Sequence, residues 1–160
     1  MLPTEKQADI HRSRAERLLE DGRAAEALDE LASGMRQDTR NGGIWLLLGD
    51  IYSMAGQLEP AASYLQKAVR EDYMNMRCWT KLANVYCLLG GPYLELALEQ
   101  IEMGLGIDAN YADLLYLKGN VLAQLGDYNQ AAECLQKAVD LQPGHPYADR
   151  DLVAVNKLMG

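Results

Sequence analysis

The sequence predicts an all-α protein, a solenoid of four helix-turn-helix repeats closed by a C-terminal capping helix. Three observations predict it. Gly22, Gly56 and Gly90 are spaced by 34 residues, Gly126 follows after 36, and Gly160 after another 34. Small residues recur in step: Ala27 and Gly34, Ala61 and Ala68, Ala97 and Gly104, Ala131 and Ala138 are each seven apart. Seven residues make two helical turns, so each pair shares one helix face and lets a neighbouring helix approach. Between these marks the apolar spacing is helical. Trp45, Leu48, Gly49 and Tyr52 fall at i, i+3, i+4 and i+7, as do Trp79, Leu82, Ala83 and Tyr86.

The elements follow in order. Each repeat reads as helix, glycine-stopped turn, helix, with the glycine in the left-handed conformation that ends a helix. A second small series, Ala15, Gly49, Ala83 and Gly119, precedes each glycine by seven and is expected to mark the close contact within each pair. One pair cannot bury its apolar face alone, so pairs stack. The repeats span 8–41, 42–75, 76–111 and 112–145, with a capping helix in 146–160, and the whole chain, 1–160, reads as one domain. The first repeat is the poorest, with His11 and Arg14 where the second and third have Trp and Leu. The third carries two extra residues in the turn Gly90-Gly91-Pro92-Tyr93. Lys118 takes the inward apolar position of the fourth, where it is expected to snorkel or to pair with a carboxylate. In the capping helix Asp149, Arg150, Asn156 and Lys157 make the polar face, and Leu152, Val155 and Leu158 pack inward. It is either a natural solvating end or the first helix of a longer array. Gly104-Leu105-Gly106 lacks the strand and full pattern of a phosphate loop and reads as a loosened helix end.

These residues resemble the tetratricopeptide repeat (TPR) family, whose signature is W-x2-L-G-x2-Y, then A-x3-F, then P, on a 34-residue period. The second repeat matches with Trp45, Leu48, Gly49, Tyr52, Gly56, Ala61, Leu65 and Ala68. The third matches with Trp79, Leu82, Tyr86, Gly90, Ala97 and Ile101, and the fourth with Gly119, Gly126, Tyr128, Ala131, Leu135, Ala138 and Pro143. The first keeps Ala15, Gly22, Ala27 and Leu31. The resemblance spans about 138 of 160 residues and implies a right-handed superhelix.

Composition sets the class of partner. The net charge is −8 and the pI about 4.7, spread as −2 on each repeat and zero on the flanks. Without clustered Lys and Arg there is no footprint for nucleic acid or for an anionic membrane surface. The apolar runs are too short to span a bilayer, and the first residues hold no apolar signal segment. Cys78, Cys87 and Cys134 form no C-x-x-C pair and suit a reducing, cytoplasmic setting as small apolar fillers. His11 and His145 lie near opposite ends, so neither a zinc site nor a Ser-His-Asp set takes shape. No catalytic residue, metal or cofactor is expected.

What remains is binding of a protein or peptide. The resemblance implies that the first helix of each pair lines a concave groove. Carried over by position, the first repeat contributes Asp9, Arg12, Glu16 and Glu20, and the second Leu46, Asp50, Ser53 and Met54. The third contributes Arg77, Lys81, Asn84, Cys87 and Leu88, and the fourth Tyr116, Asn120 and Gln124. Leu46, Met54, Leu88 and Tyr116 are apolar where water is expected, as packing residues or as anchors for a partner's side chains. Asn84 and Asn120 share one repeat position and either hold an extended peptide backbone or satisfy a neighbouring loop. Arg77 and Lys81, four apart on one helix, either grip a carboxylate or pair with Asp50. One TPR subtype clamps a chaperone's C-terminal carboxylate with Lys and Asn, then Asn, then Lys and Arg in three successive repeats. Here Arg12 and Glu16, then Leu47, then Arg77 and Lys81 stand there, so the clamp is broken. The expectation is a non-enzymatic scaffold or adaptor. The alternative is an oligomeric assembly or secretion chaperone, since length and acidity resemble small TPR chaperones of type III secretion, with a second copy of the chain as partner. The helix phase is tested at Trp79: Trp79→Ala should cost about 3–5 kcal/mol in denaturant unfolding if the ring is core, and a near-zero cost contradicts the phase.

Overall fold

The computed structural model describes residues 3–160. Among them are nine α-helices and no strand. Two compact units divide the chain, one ending at Cys78 and the other spanning Trp79–Gly160. The first unit holds α1 (Thr4–Glu20), α2 (Ala24–Gln37), α3 (Gly42–Met54) and α4 (Leu58–Glu71). The helix α5 (Met76–Leu89) carries the division between Cys78 and Trp79. The second unit continues with α6 (Tyr93–Ile107), α7 (Ala112–Gln124), α8 (Tyr128–Leu141) and α9 (Ala148–Leu158). Helix pairing and capping helix are those expected from the repeat, with α1 starting one turn earlier than the first repeat.

Three residues join the helices of every pair, and each turn holds left-handed glycine: Gly22 at φ 73°, Gly56 at 74°, Gly90 and Gly91 at 64° and 51°, and Gly126 at 87°. That region is strained for residues with a Cβ, which is why glycine punctuates the repeat. The two extra residues of the third repeat do not enlarge its turn. They lengthen α5 and α6 by one residue each relative to α3 and α4, because a helix absorbs a residue by extending its hydrogen-bond ladder.

The small residues act as read from the sequence. Within the first unit a Cβ on Gly49 would collide with Leu65 of α4, and one on Gly34 would lie 2.7 Å from Ile44 Cδ1 on α3. Within the second, Gly119 stands against Leu135 and the Ala131 carbonyl, and Gly104 against Leu114 and Trp79. Position eight of the first helix thus makes the contact inside a pair, and the last turn of the second helix makes the contact to the following pair. One expectation is corrected: α6 is continuous to Ile107, so Gly104-Leu105-Gly106 is regular helix rather than a loosened end, with Gly104 packed and Gly106 exposed.

Aromatic residues fill the space beside these contacts. Trp45 stacks on Tyr64 at 6.0 Å, Tyr64 meets Tyr52 at 5.0 Å, and the Trp45 Nε1–H donates to the Thr39 carbonyl at 2.9 Å. Trp79 is 6% exposed, as the helix phase requires. Lys118 pairs with Glu102 at 2.5 Å, and Arg14 is exposed. In α9 the inward residues are Ala148, Val155 and, partly, Leu152. Leu158, the last residue of α9, is 62% exposed, against expectation.

Gly49→Ala forces Leu65 from its rotamer and should lower stability by about 1–3 kcal/mol in urea unfolding. A substitution that leaves the midpoint unchanged would contradict the close approach of α3 and α4.

Candidate functional site

In the first unit, α1, α3 and the linkers at 38–41 and 72–75 surround a cavity of about 600 Å³. Its lining is dominated by carboxylates, Glu5, Asp9, Glu16 and Glu20 along α1 and Asp38, Glu71 and Asp72 opposite. Arg12, Leu46 and Arg77 of the expected groove residues line it, whereas Asp50 and Met54 do not. Arg12 lies against Gly43, whose missing Cβ leaves the room: a carbon there would fall 2.7 Å from Arg12 Cδ. The guanidinium reaches Asp9 at 3.4 Å and Glu16 at 3.8 Å. It is therefore already balanced by the two acids on its own helix, and Glu16 stands where a carboxylate clamp needs a donor. Leu46, expected to meet water, is 5% exposed, while Met54 is 87% exposed at the last residue of α3.

The second unit has a smaller and more apolar cleft, of about 260 Å³. Thr80, Lys81 and Asn84 of α5 form one side, and Asp113, Tyr116 and Leu117 of α7 the other. The turn His145-Pro146-Tyr147, between α8 and α9, closes it. Three of the expected residues, Lys81, Asn84 and Tyr116, thus share one site. Leu88 does not reach it and is 60% exposed at the end of α5. Asn120 and Gln124 line a separate groove of about 410 Å³ beside α9, where the Gln124 amide donates to Asn120 Oδ1 at 2.9 Å.

His145 holds this corner together. Only 6% exposed, it accepts the Ala148 backbone N–H at Nδ1, 3.2 Å away, and its Nε2 lies 3.2 Å from Asp113 Oδ1. An Nδ1 that accepts leaves the proton on Nε2, so the ring donates to Asp113. Asn41 performs the same task one residue ahead of α3, its Oδ1 accepting the Ile44 N–H at 3.2 Å. Asn41, Asn75, Tyr111 and His145 occupy the last position of successive repeats. Asn41, Asn75 and His145 accept a following backbone N–H while Tyr111 does not, so this repeat position was the signal by which His145, missed as a site residue, could have been found. Tyr147 falls at the repeat position of Asp9 and Arg77, a signal that opens only if the capping helix is counted as a fifth first helix.

Tyr116 joins the cleft to α9. Its hydroxyl donates to Asp151 Oδ2 at 3.1 Å, and its ring lies 4.7 Å from His145 and 6.1 Å from Tyr147. Burial, then the Asp151 carboxylate, pushes the phenol up to about 12, so it remains a donor at neutral pH. The cysteines are free thiols. Burial raises Cys78 to about 12 and Cys87 to about 11.

The tetratricopeptide repeat models match residues 18–85 and 112–145, together well over half of the chain. The chain belongs to the tetratricopeptide repeat family. That fold is in general a scaffold for protein–protein interaction, and family members are generally non-enzymatic. No curated protein sequence gives a significant match. Among solved structures, PilF of Pseudomonas aeruginosa is similar at TM-score 0.86 and 16% identity, covering 98% of this chain and 70% of its own. MamA of Desulfovibrio magneticus RS-1 is similar at TM-score 0.82 and 22% identity, over 96% of this chain and 85% of its own. YrrB, described as a TPR protein with an unusual peptide-binding site, is similar at TM-score 0.75 and 26% identity, over 90% and 73%. No helix among the described residues is long and apolar enough to cross a membrane.

The raised thiols give a measurable consequence. Folded Cys87, at about 11, holds on the order of a hundredfold less thiolate at pH 8 than a free cysteine near 8.5, and its alkylation by iodoacetamide should be slower in proportion. A thiol pKa above its unfolded value favours the protonated folded state. Stability is therefore level below about pH 8.5 and falls as pH rises from there toward 11. Labelling as fast as in urea at pH 8 would contradict the burial.

Proposed function

We propose that this protein is an adaptor that holds an extended segment of a partner protein on the faces formed by the first helices of its repeats. The observation that carries this reading is the convergence of Lys81, Asn84 and Tyr116 on one cleft of the second unit, with an apolar floor and a polar rim. Recognition sites of this kind combine apolar area with a few placed donors and acceptors. Asn84, exposed on α5, offers both a donor and an acceptor to a peptide backbone. In the first unit Arg12, Leu46 and Arg77 line an acidic cavity suited to basic side chains of the same partner or a different part of it. Asp50, Met54, Leu88, Asn120 and Gln124 stand outside these two cavities and act, in this reading, as flanking contacts. The carboxylate-clamp mode is set aside because Glu16 lies beside Arg12. The generality of the scaffold across the family and the peptide-binding description of YrrB both support the reading.

The test is selection of random displayed peptides on the wild-type chain, followed by affinity measurement on an Asn84→Ala, Asn120→Ala double variant. Loss of the Asn84 amide from the cleft and of the flanking Asn120 amide should weaken selected peptides by about ten- to a hundredfold with little change in thermal midpoint. Equal affinity for wild type and variant would overturn the groove reading.

A further inference from the structure

We propose that the cleft between α5, α7 and the His145-Pro146-Tyr147 turn is an anchor pocket for one uncharged aromatic side chain of the partner, with Asp151 of α9 positioning its walls. The proposal rests on the groove reading above for its macromolecular partner, and on four observations for its chemistry.

The first is size. About 260 Å³ falls below the roughly 300–1,000 Å³ typical of sites for free small molecules, and suits a single side chain. The second is the wall. Tyr116, His145 and Tyr147 form a ring cluster at 4.7, 6.1 and 6.4 Å, tilted at 38° and 34° and edge-on at 71°. A fourth ring entering such a cluster meets faces and edges in the arrangements aromatic pairs favour, which an aliphatic group cannot exploit. The third is charge. The rim carries Lys81 on α5 and Asp113 on α7, whose opposite charges cancel, so nothing there favours a charged occupant. The fourth is preorganisation. The Asp151 carboxylate accepts from the Tyr116 hydroxyl at 3.1 Å through one oxygen and from Arg150 Nε at 2.9 Å through the other. Arg150 in turn lies 5.5 Å over the Tyr147 ring. One carboxylate thereby orients both tyrosine walls before a ligand arrives, which reduces the ordering cost of binding.

The full chain is titrated with indole, and separately with cyclohexylmethanol as an aliphatic probe, and followed by amide NMR. Indole should give saturable shifts at the Asn84, Leu117 and Tyr147 amides and bind at least about fivefold tighter than the aliphatic probe. Tyr147→Ala, at a residue 51% exposed, should weaken indole by about tenfold with an unchanged thermal midpoint. Asp151→Asn, which keeps both walls but loosens them, should weaken it by about threefold. Absence of saturable shifts, equal binding of the two probes, or undiminished binding to Tyr147→Ala would overturn the pocket. Undiminished binding to Asp151→Asn would overturn the positioning role. Indole failing while displayed peptides still depend on Asn84 overturns the pocket alone. Indole binding as stated, with no peptide dependent on Asn84, supports the pocket and overturns the groove reading.

Discussion

Everything in this chain depends on helices approaching one another closely enough to share a thin layer of side chains. Gly49 beneath Leu65 and Gly119 beneath Leu135 fix the separation inside two helix pairs. Gly34 beneath Ile44 and Gly104 beneath Leu114 do the same between consecutive pairs of one unit. At each place the larger partner is fully or almost fully buried, with Leu65, Leu114 and Leu135 at 0% and Ile44 at 1% exposure. Close-packed interiors have no spare volume for an added methyl group, so small residues set the spacing and leucines fill it. The left-handed glycines of the turns serve the same end, returning the chain within three residues so that the second helix starts in contact with the first.

The groove chemistry is a by-product of how helix ends are satisfied. The first backbone N–H groups of a helix lack partners within it, and the side chains ending the first, second and fourth repeats, Asn41, Asn75 and His145, each accept one. Asn41 does this with a short amide, whereas His145 does it with a ring. The exchange changes the surface. An imidazole at that point brings an apolar face into the neighbouring cleft, draws Asp113 toward its Nε2, and sets Tyr147 beside Tyr116. A helix-capping side chain thus also forms part of a cleft wall in the second unit.

The two units differ sharply in what they offer a partner, although every repeat carries the same net charge. The cavity of the first is ringed by carboxylates and braced by Arg12, which is held by Asp9 and Glu16. The cleft of the second has one cation, one carboxylate and three rings. Net charge per repeat decides solubility, but the side chains that share a cavity decide what it can bind.

The sequence by itself determined the fold. The 34-residue glycine spacing, the small-residue pairs and the Trp–Leu–Gly–Tyr spacing are consequences of local helix geometry, and local geometry is written in consecutive residues. The family resemblance also nominated Lys81, Asn84 and Tyr116 by repeat position, and the three line one cleft. The sequence left Leu46 open between packing and anchor, and burial favours packing; it misplaced Leu158, which is exposed, because burial depends on whether a neighbouring helix covers that turn. Tertiary structure alone decided which candidates share a cleft and what closes it. The contacts that build that site join Asp113 to His145 and Tyr116 to Asp151, 32 and 35 residues apart. They arise from packing α9 on the preceding pair; the repeat period places that helix, but not which side chains of its entry turn and first turns meet α7.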